Sequence, residues 1–323
     1  AKIFQNSLVD DKMINSLKRE IIMASKFNHP AILKYLGFNE HSLRENYQKI
    51  KSKNIYPTLL MEYIPNGNLE NVIEKKPEGW NNTAKLKAII GLSSALAKMF
   101  LLEIVHRDMK PENILMNDNF EPIICDFGCS RQYFANTHNK MTSHIGTPIY
   151  MAPELFNNDF LPEYSYEVDS YSFGIILYQI LTDTPIINIY PHGTNQINII
   201  DYKLNNYVPE LPDDMNQLFV SLIKSCWNVS CNSRPDPPTI YDVLIKAISN
   251  GENLMPNVDM EKVIEYVKRL PVIKSTLFAK TKKLTRICLI DQTDFYSLFK
   301  VKNNETGEIS AAAVFYQNFD NYE

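Results

Sequence analysis

The densest chemistry in the sequence lies in two short segments, His106-Arg107-Asp108-Met109-Lys110-Pro111-Glu112-Asn113 and Asp126-Phe127-Gly128. They hold an acidic base, a lysine, an asparagine and a second aspartate at fixed spacing. Such a set is what is needed to hold a metal-bound triphosphate beside a hydroxyl nucleophile. Asn113 stands five residues after Asp108, and Asp126 thirteen after Asn113. Hydrophobic Ile114, Leu115, Ile123 and Ile124 fill that interval, which predicts a short hairpin folding the metal ligands back on the base. A helix cap or a surface carboxylate is the competing account of Asp108, and its neighbours argue against it.

The elements that must position these residues follow from patterning. Ala1-Lys2-Ile3-Phe4 reads as the end of a buried strand. Residues 11–27 show helical periodicity, with Met13, Leu17, Ile21 and Ala24 on one face, and Asn28-His29-Pro30 stops that helix. Glu20 lies on it, eighteen residues after Lys2, where it is either an ion-pair partner of Lys2 or a surface charge. Ile32 to Phe38 and Pro57 to Tyr63 read as two more strands, separated by a polar loop over 39–56 and followed by a turn at Pro65 and Gly67. Asn82 or Thr83 can cap a long helix carrying Leu86, Ile89, Ile90, Leu96 and Met99, which delivers the chain to His106. Residues 168–182 are apolar nearly all round and predict a buried central helix; 214–227 and 238–248 predict two more. The chain thus passes from strands to helices, an α+β arrangement of a small sheet lobe joined to a larger helical lobe.

Composition narrows the functional classes. Of 323 residues, 45% are hydrophobic, enough for a substantial core, and the net charge of −4 gives no electrostatic case for nucleic acid or an anionic membrane. The local basic cluster Lys280, Lys282, Lys283 and Arg286 reads as a solvated face, with a targeting signal as the sharper alternative. Five cysteines (Cys125, Cys129, Cys226, Cys231, Cys288) form no C-x-x-C pair and no zinc spacing, which points to a reduced, intracellular and cytoplasmic protein. The longest apolar run, Phe173 to Leu181, is too short to span a bilayer, and no signal peptide is visible. The chain opens on Ala1, so a piece of a longer protein is expected.

Six markers in order now carry a resemblance: Ala-Lys at the start, HRDMKPEN, DFG, GTPIYMAPE (146–154), VDSYSFG (168–174) and SCW…RP (225–235). The chain resembles a eukaryotic-type protein kinase, most similar to the tyrosine-kinase-like group of serine/threonine kinases, from Ala1 to about Ile248. The resemblance implies a bilobal kinase fold with an N-terminally truncated small β lobe and a larger helical lobe. It implies ATP and Mg²⁺ as cofactors and Ser/Thr of protein substrates as acceptors. Asp108 is then the general base, and Lys110 neutralises charge on the transferring phosphoryl group; Asn113 and Asp126 are the metal ligands. Lys2, paired with Glu20, holds the α- and β-phosphates; Glu62 and Ile64 offer hinge backbone groups to adenine, with Met61 controlling access behind it. Asp169 accepts backbone N–H groups of the catalytic loop, and Glu154 pairs with Arg234. Thr142 or Ser143 is the expected regulatory phosphosite, read by Arg107 and written by an upstream activating kinase; Thr147 contacts the substrate loop. A kinase-fold scaffold that binds partners without phosphoryl transfer is the alternative. A tyrosine-directed kinase is disfavoured by Lys110 and by Gly146-Thr147.

Residues 249–283 read as a linker with one helix (258–269). In 284–323, Phe295 to Lys302 and Ile309 to Gln317 flank Asn303–Glu308 as a β-hairpin. The sharper reading sets Ala312-Ala313-Val314-Phe315 beside Ala1-Lys2-Ile3-Phe4, which makes the tail the start of a second, degenerate kinase-like domain with Ala313 in place of the lysine. The family's glycine-rich strands are expected upstream of Lys2. Two of their hydrogen bonds to charged phosphate, at roughly 1.5–3 kcal/mol each, are worth on the order of a hundred- to ten-thousand-fold in nucleotide affinity. ATP titration of this chain and of one extended upstream is expected to differ by that factor; equal affinities would refute the expectation.

Overall fold

A computed structural model describes residues 2–3, 20–39, 58–132, 147–156, 166–185, 188–191, 196–271, 284–292, 296–303 and 309–315. The small sheet has three antiparallel strands: β1 (Lys2–Ile3), β2 (Tyr35–Asn39) and β3 (Thr58–Met61), in the order β1-β3-β2. Lys2 is registered with Leu59 and Tyr35 with Met61. Beside them lies α1, described over residues 20–24, which tightens into a turn at Ser25 and Lys26, short of the expected stop.

The helical lobe is built on α3 (Asn82–Leu101) and α4 (Glu167–Thr182), both buried on nearly every side, so neither needs an amphipathic stripe. Around them stand α2 (Leu69–Lys75), α5 (Gln196–Leu204), α6 (Gln217–Cys226), α7 (Pro237–Ser249) and α8 (Met260–Arg269). The helices α2 and α5 were not expected from the sequence. Gly174 lets α4 meet the end of α6: a Cβ there would lie 2.8 Å from Cys226 Cβ and 3.1 Å from the Trp227 amide.

The cap of α3 differs from both expected residues. Asn81, in extended conformation, accepts from the amides of Thr83 (3.0 Å) and Ala84 (3.1 Å). Asn82 and Thr83 instead tie down the approach to α8: Asn82 Nδ2 donates to Pro256 O (2.9 Å), and Thr83 Oγ1 accepts from Asp259 N (2.9 Å). Beyond 248, α8 buries Val263 and Tyr266 in the same core, and Arg269 donates to Glu121 at 3.2 and 2.5 Å. The tail forms a three-stranded antiparallel meander, one strand more than the expected hairpin: β8 (Leu284–Gln292), β9 (Tyr296–Asn303) and β10 (Ile309–Phe315).

His29 joins the turn after α1 to α3. Its Nδ1 accepts from Ala31 N (3.0 Å), so Nε2 carries the proton facing Ser94 Oγ (3.1 Å). Burial first, then the Lys98 charge, pulls its pKa down to about 3. A depressed imidazole pKa means the folded state excludes the charged form. The stability this site contributes is therefore full above an unfolded pKa of about 6.5 and drains as pH falls toward about 3. Denaturant unfolding should show the advantage of wild type over His29→Gln shrinking by about 2 kcal/mol on going from neutral pH to about pH 5. An advantage independent of pH would sink this account.

Candidate active site

The catalytic-loop segment is shaped by one carboxylate. Asp169, in the first turn of α4, accepts from His106 N (2.7 Å) and Arg107 N (2.9 Å), one oxygen to each amide. Arg107 there has φ 71°, a left-handed conformation that costs a non-glycine residue on the order of 1–3 kcal/mol and persists only where its surroundings hold it. Burial pushes the Asp169 carboxyl above its ordinary range, opposed by the neighbouring His106 ring and by these two amides. His106 is 0% exposed. Its Nδ1 lies 3.4 Å from Asp108 N and its Nε2 3.1 Å from Cys125 O, which makes Nε2–H the donor. Phe127 packs edge-on to that ring at 5.2 Å and touches Phe27 at 5.3 Å, joining the catalytic loop to the turn after α1.

The interval after the loop is the expected hairpin. Strand β4 (Ile104–Val105), paired with β7 (Arg131–Gln132), leads in; β5 (Ile114–Met116) and β6 (Pro122–Ile124) pair antiparallel, Ile114 opposite Ile124. Cys125 N donates to Asn113 O (2.9 Å), closing the hairpin where Asn113 and Asp126 leave it. Asn113 Nδ2 donates both to Asp108 O (2.8 Å) and to Asp108 Oδ2 (2.9 Å). Lys110 Nζ sits 3.1 Å from Asp108 Oδ2 and donates to Thr147 Oγ1 (3.0 Å). Asp108, Lys110, Asn113 and Thr147 thus form one connected group. A cleft beside it is lined by Arg107, Asp108, Met109, Thr147, Tyr150 and Met151.

On the small-lobe side, Glu20 is 4% exposed and so is no solvated surface charge. It accepts from Tyr35 OH (2.9 Å), and Gly128 lies close by: a Cβ there would stand 3.8 Å from Glu20 Oε2. Lys2 is on β1, and its side chain lies outside the described residues, as do Thr142 and Ser143. Met61 ends β3. Glu62 N donates to Lys34 O (3.1 Å), and Ile64 follows in irregular chain. Arg107 is buried.

Glu154 and Arg234 meet in a bidentate pair, Nη1 to Oε1 at 2.7 Å and Nη2 to Oε2 at 2.8 Å. Arg234 also donates to the carbonyls of Asn228, Glu167 and Val229. Sequence reasoning missed Lys203, which is buried under the segment 149–151. A lysine in a short helix with polar neighbours reads as solvated, and nothing local marks it.

A small antiparallel sheet is thus combined with a helical lobe that carries the connected group of Asp108, Lys110, Asn113 and Thr147. The protein kinase domain model matches residues 1–244, and the chain belongs to the protein kinase family. It is 32% identical over 246 residues to the RGS domain-containing serine/threonine-protein kinase A of Dictyostelium discoideum, covering 75% of this chain and 20% of that protein. It is 29% identical over 248 residues to "Putative serine/threonine-protein kinase/receptor R826" of Acanthamoeba polyphaga mimivirus, covering 76% of this chain and 14% of that protein. With "Probable serine/threonine-protein kinase kinY" of Dictyostelium discoideum it shares 28% over 248 residues, covering 75% of this chain and 42% of that protein. The chain therefore spans well under two thirds of these relatives.

Removing Glu154 leaves the Arg234 guanidinium buried without its counter-charge. Glu154→Ala is expected to lower unfolding free energy by about 3–5 kcal/mol, and Glu154→Gln by less. Urea denaturation checks this; a loss under about 1 kcal/mol for the alanine variant, the range of a surface pair, would contradict it.

Proposed function

We propose that this chain is the catalytic unit of an ATP-dependent serine/threonine protein kinase, with the tyrosine-kinase-like group as its nearest setting. The observation that carries the reading is the connected group of Asp108, Lys110, Asn113 and Thr147, with Asp126 at the end of the same hairpin. Asp108 Oδ2 is engaged by Asn113 and Lys110, so Oδ1 is the oxygen for an incoming Ser or Thr hydroxyl. As the hydroxyl oxygen bonds to the γ-phosphorus, the bond to the β,γ-bridging oxygen breaks, ADP leaves with that electron pair, and the hydroxyl proton passes to Asp108. Lys110 neutralises charge on the transferring group while holding Thr147 at the cleft.

The family generally uses ATP and Mg²⁺. The donor set fits: an amide oxygen and a carboxylate suit Mg²⁺, which takes few protein ligands and completes its shell with phosphate and water. Asn113 and Asp126 would hold the ion, which supplies charge neutralisation between the phosphates. Lys2 with Glu20 would hold the α- and β-phosphates, and the Glu62 carbonyl and Ile64 amide would receive adenine behind which Met61 stands. A phosphate placed on Thr142 or Ser143 by an upstream kinase would pair with Arg107. Glu154–Arg234 and Asp169 support the site without touching substrate.

The catalytic domain on this reading runs past its expected end at 248 through α8, because Val263, Tyr266 and Leu270 lie in its core, and 284–323 begin a degenerate kinase-like unit. The antiparallel meander β8-β9-β10, with Thr306-Gly307-Glu308 leading into β10, supports that last assignment. No helix among the described residues is long and apolar enough to cross a membrane. A cytoplasmic location is the reading that the cysteine usage supports.

Phosphorylation of a Ser/Thr peptide library by the full-length protein and its Asp108→Ala variant tests the reading. Loss of the base is expected to lower kcat/KM by about 10²–10⁴. Equal, background incorporation by both proteins would favour the scaffold instead.

A further inference from the structure

Segment 149–151 borders the cleft beside Asp108 in a turn, where Tyr150 N donates to Thr147 O (2.9 Å), but no helix or strand takes up its carbonyls. Its three successive carbonyls are captured by side chains from below. Lys203 Nζ, from the last turn of α5, donates to Ile149 O and Met151 O, both at 2.7 Å. Ser172 Oγ, from α4, donates to the intervening Tyr150 O at 2.9 Å. The Tyr150 hydroxyl is fixed in turn by Gln179 Oε1 at 3.0 Å. At its other end the cleft wall is held by Lys110 on Thr147.

A lysine 1% exposed is an expensive way to satisfy two carbonyls unless their position matters. Its surroundings are built for it: Nζ stands 4.6 Å from the centre of the Tyr171 ring and 3.4 Å from the Tyr171 hydroxyl. Burial first, then the Arg234 charge, pulls the lysine pKa well down, opposed by Glu154. Either protonation state still serves both carbonyls. The ammonium offers three donors, and the amine keeps two while its lone pair can accept from Tyr171.

We propose that Lys203, together with Ser172, is a substrate-positioning clamp: it sets the backbone that seats the acceptor peptide against Asp108. This rests on the kinase reading above. Neither residue touches nucleotide or the reacting atoms on that reading, so the clamp acts on peptide binding and alignment alone.

The test uses the full-length protein and a serine peptide selected from a positional library, with KM measured separately for peptide and ATP. Lys203→Met keeps the length and removes the donors. It is expected to raise peptide KM about ten- to a hundredfold while ATP KM stays within about twofold. Lys203→Arg, which restores donors, should recover part of the loss. Ser172→Ala should shift peptide KM the same way by a smaller factor, and it decides the matter if Lys203→Met does not fold. A folded Lys203→Met with unchanged peptide KM, or equal rises in peptide and ATP KM, overturns the proposal. So does an unchanged peptide KM in Ser172→Ala when Lys203→Met is unfolded. Wild-type protein that phosphorylates no library peptide would instead refute the kinase reading itself.

Discussion

The site depends on the Asp169 carboxylate and the two amides it accepts. His106 and Arg107 turn the chain through a left-handed residue, and without acceptors those amides would be buried and orphaned. One aspartate at the start of α4 satisfies both and holds the strained turn in place. From that turn the loop runs on to Asp108, whose main chain and side chain then receive the Asn113 amide. The position of Asp108 is thus inherited from a helix buried on nearly every side, which cannot shift without disturbing the core.

A second layer works the same way around Asp108. The β5–β6 hairpin sets the distance between Asn113 and Asp126, and α8 braces its far end through Arg269 on Glu121 while Tyr266 packs into the notch over Gly91 against Pro122. The segment 147–151 is irregular, so its geometry comes from Lys110, Ser172 and Lys203 on three different elements. Irregular chain that must hold a shape needs donors from rigid neighbours, and here each donor comes from a helix or from the catalytic loop.

Legibility in the sequence followed the range of the interaction. The β5–β6 hairpin was readable because its two apolar pairs and its length leave one antiparallel register. The helix α4 was readable because it is apolar on nearly every face. The cap of α3 was not, since Asn81, Asn82 and Thr83 are all competent, and the choice was made by the approach to α8, which takes up Asn82 and Thr83. Glu20 could be a surface charge or a buried partner on periodicity alone; Tyr35 and Gly128 around it decide for burial. Lys203 carried no signal, because nothing in a helix sequence says which lysine points inward.

The sequence by itself determined the set of side chains and its local order, Asp108, Lys110, Asn113 and Asp126 within 106–128, where covalent spacing and one hairpin leave little freedom. What holds that set in shape is tertiary: the resemblance named Asp169 and the Glu154–Arg234 pair in advance, but their geometry, and Lys203 altogether, came from the structure. Asp169 lies 63 residues from His106, Arg234 80 from Glu154, and Lys203 54 from Ile149. Contacts at such separations are fixed by which helix faces pack together, and that packing is a property of the whole core rather than of any stretch of chain.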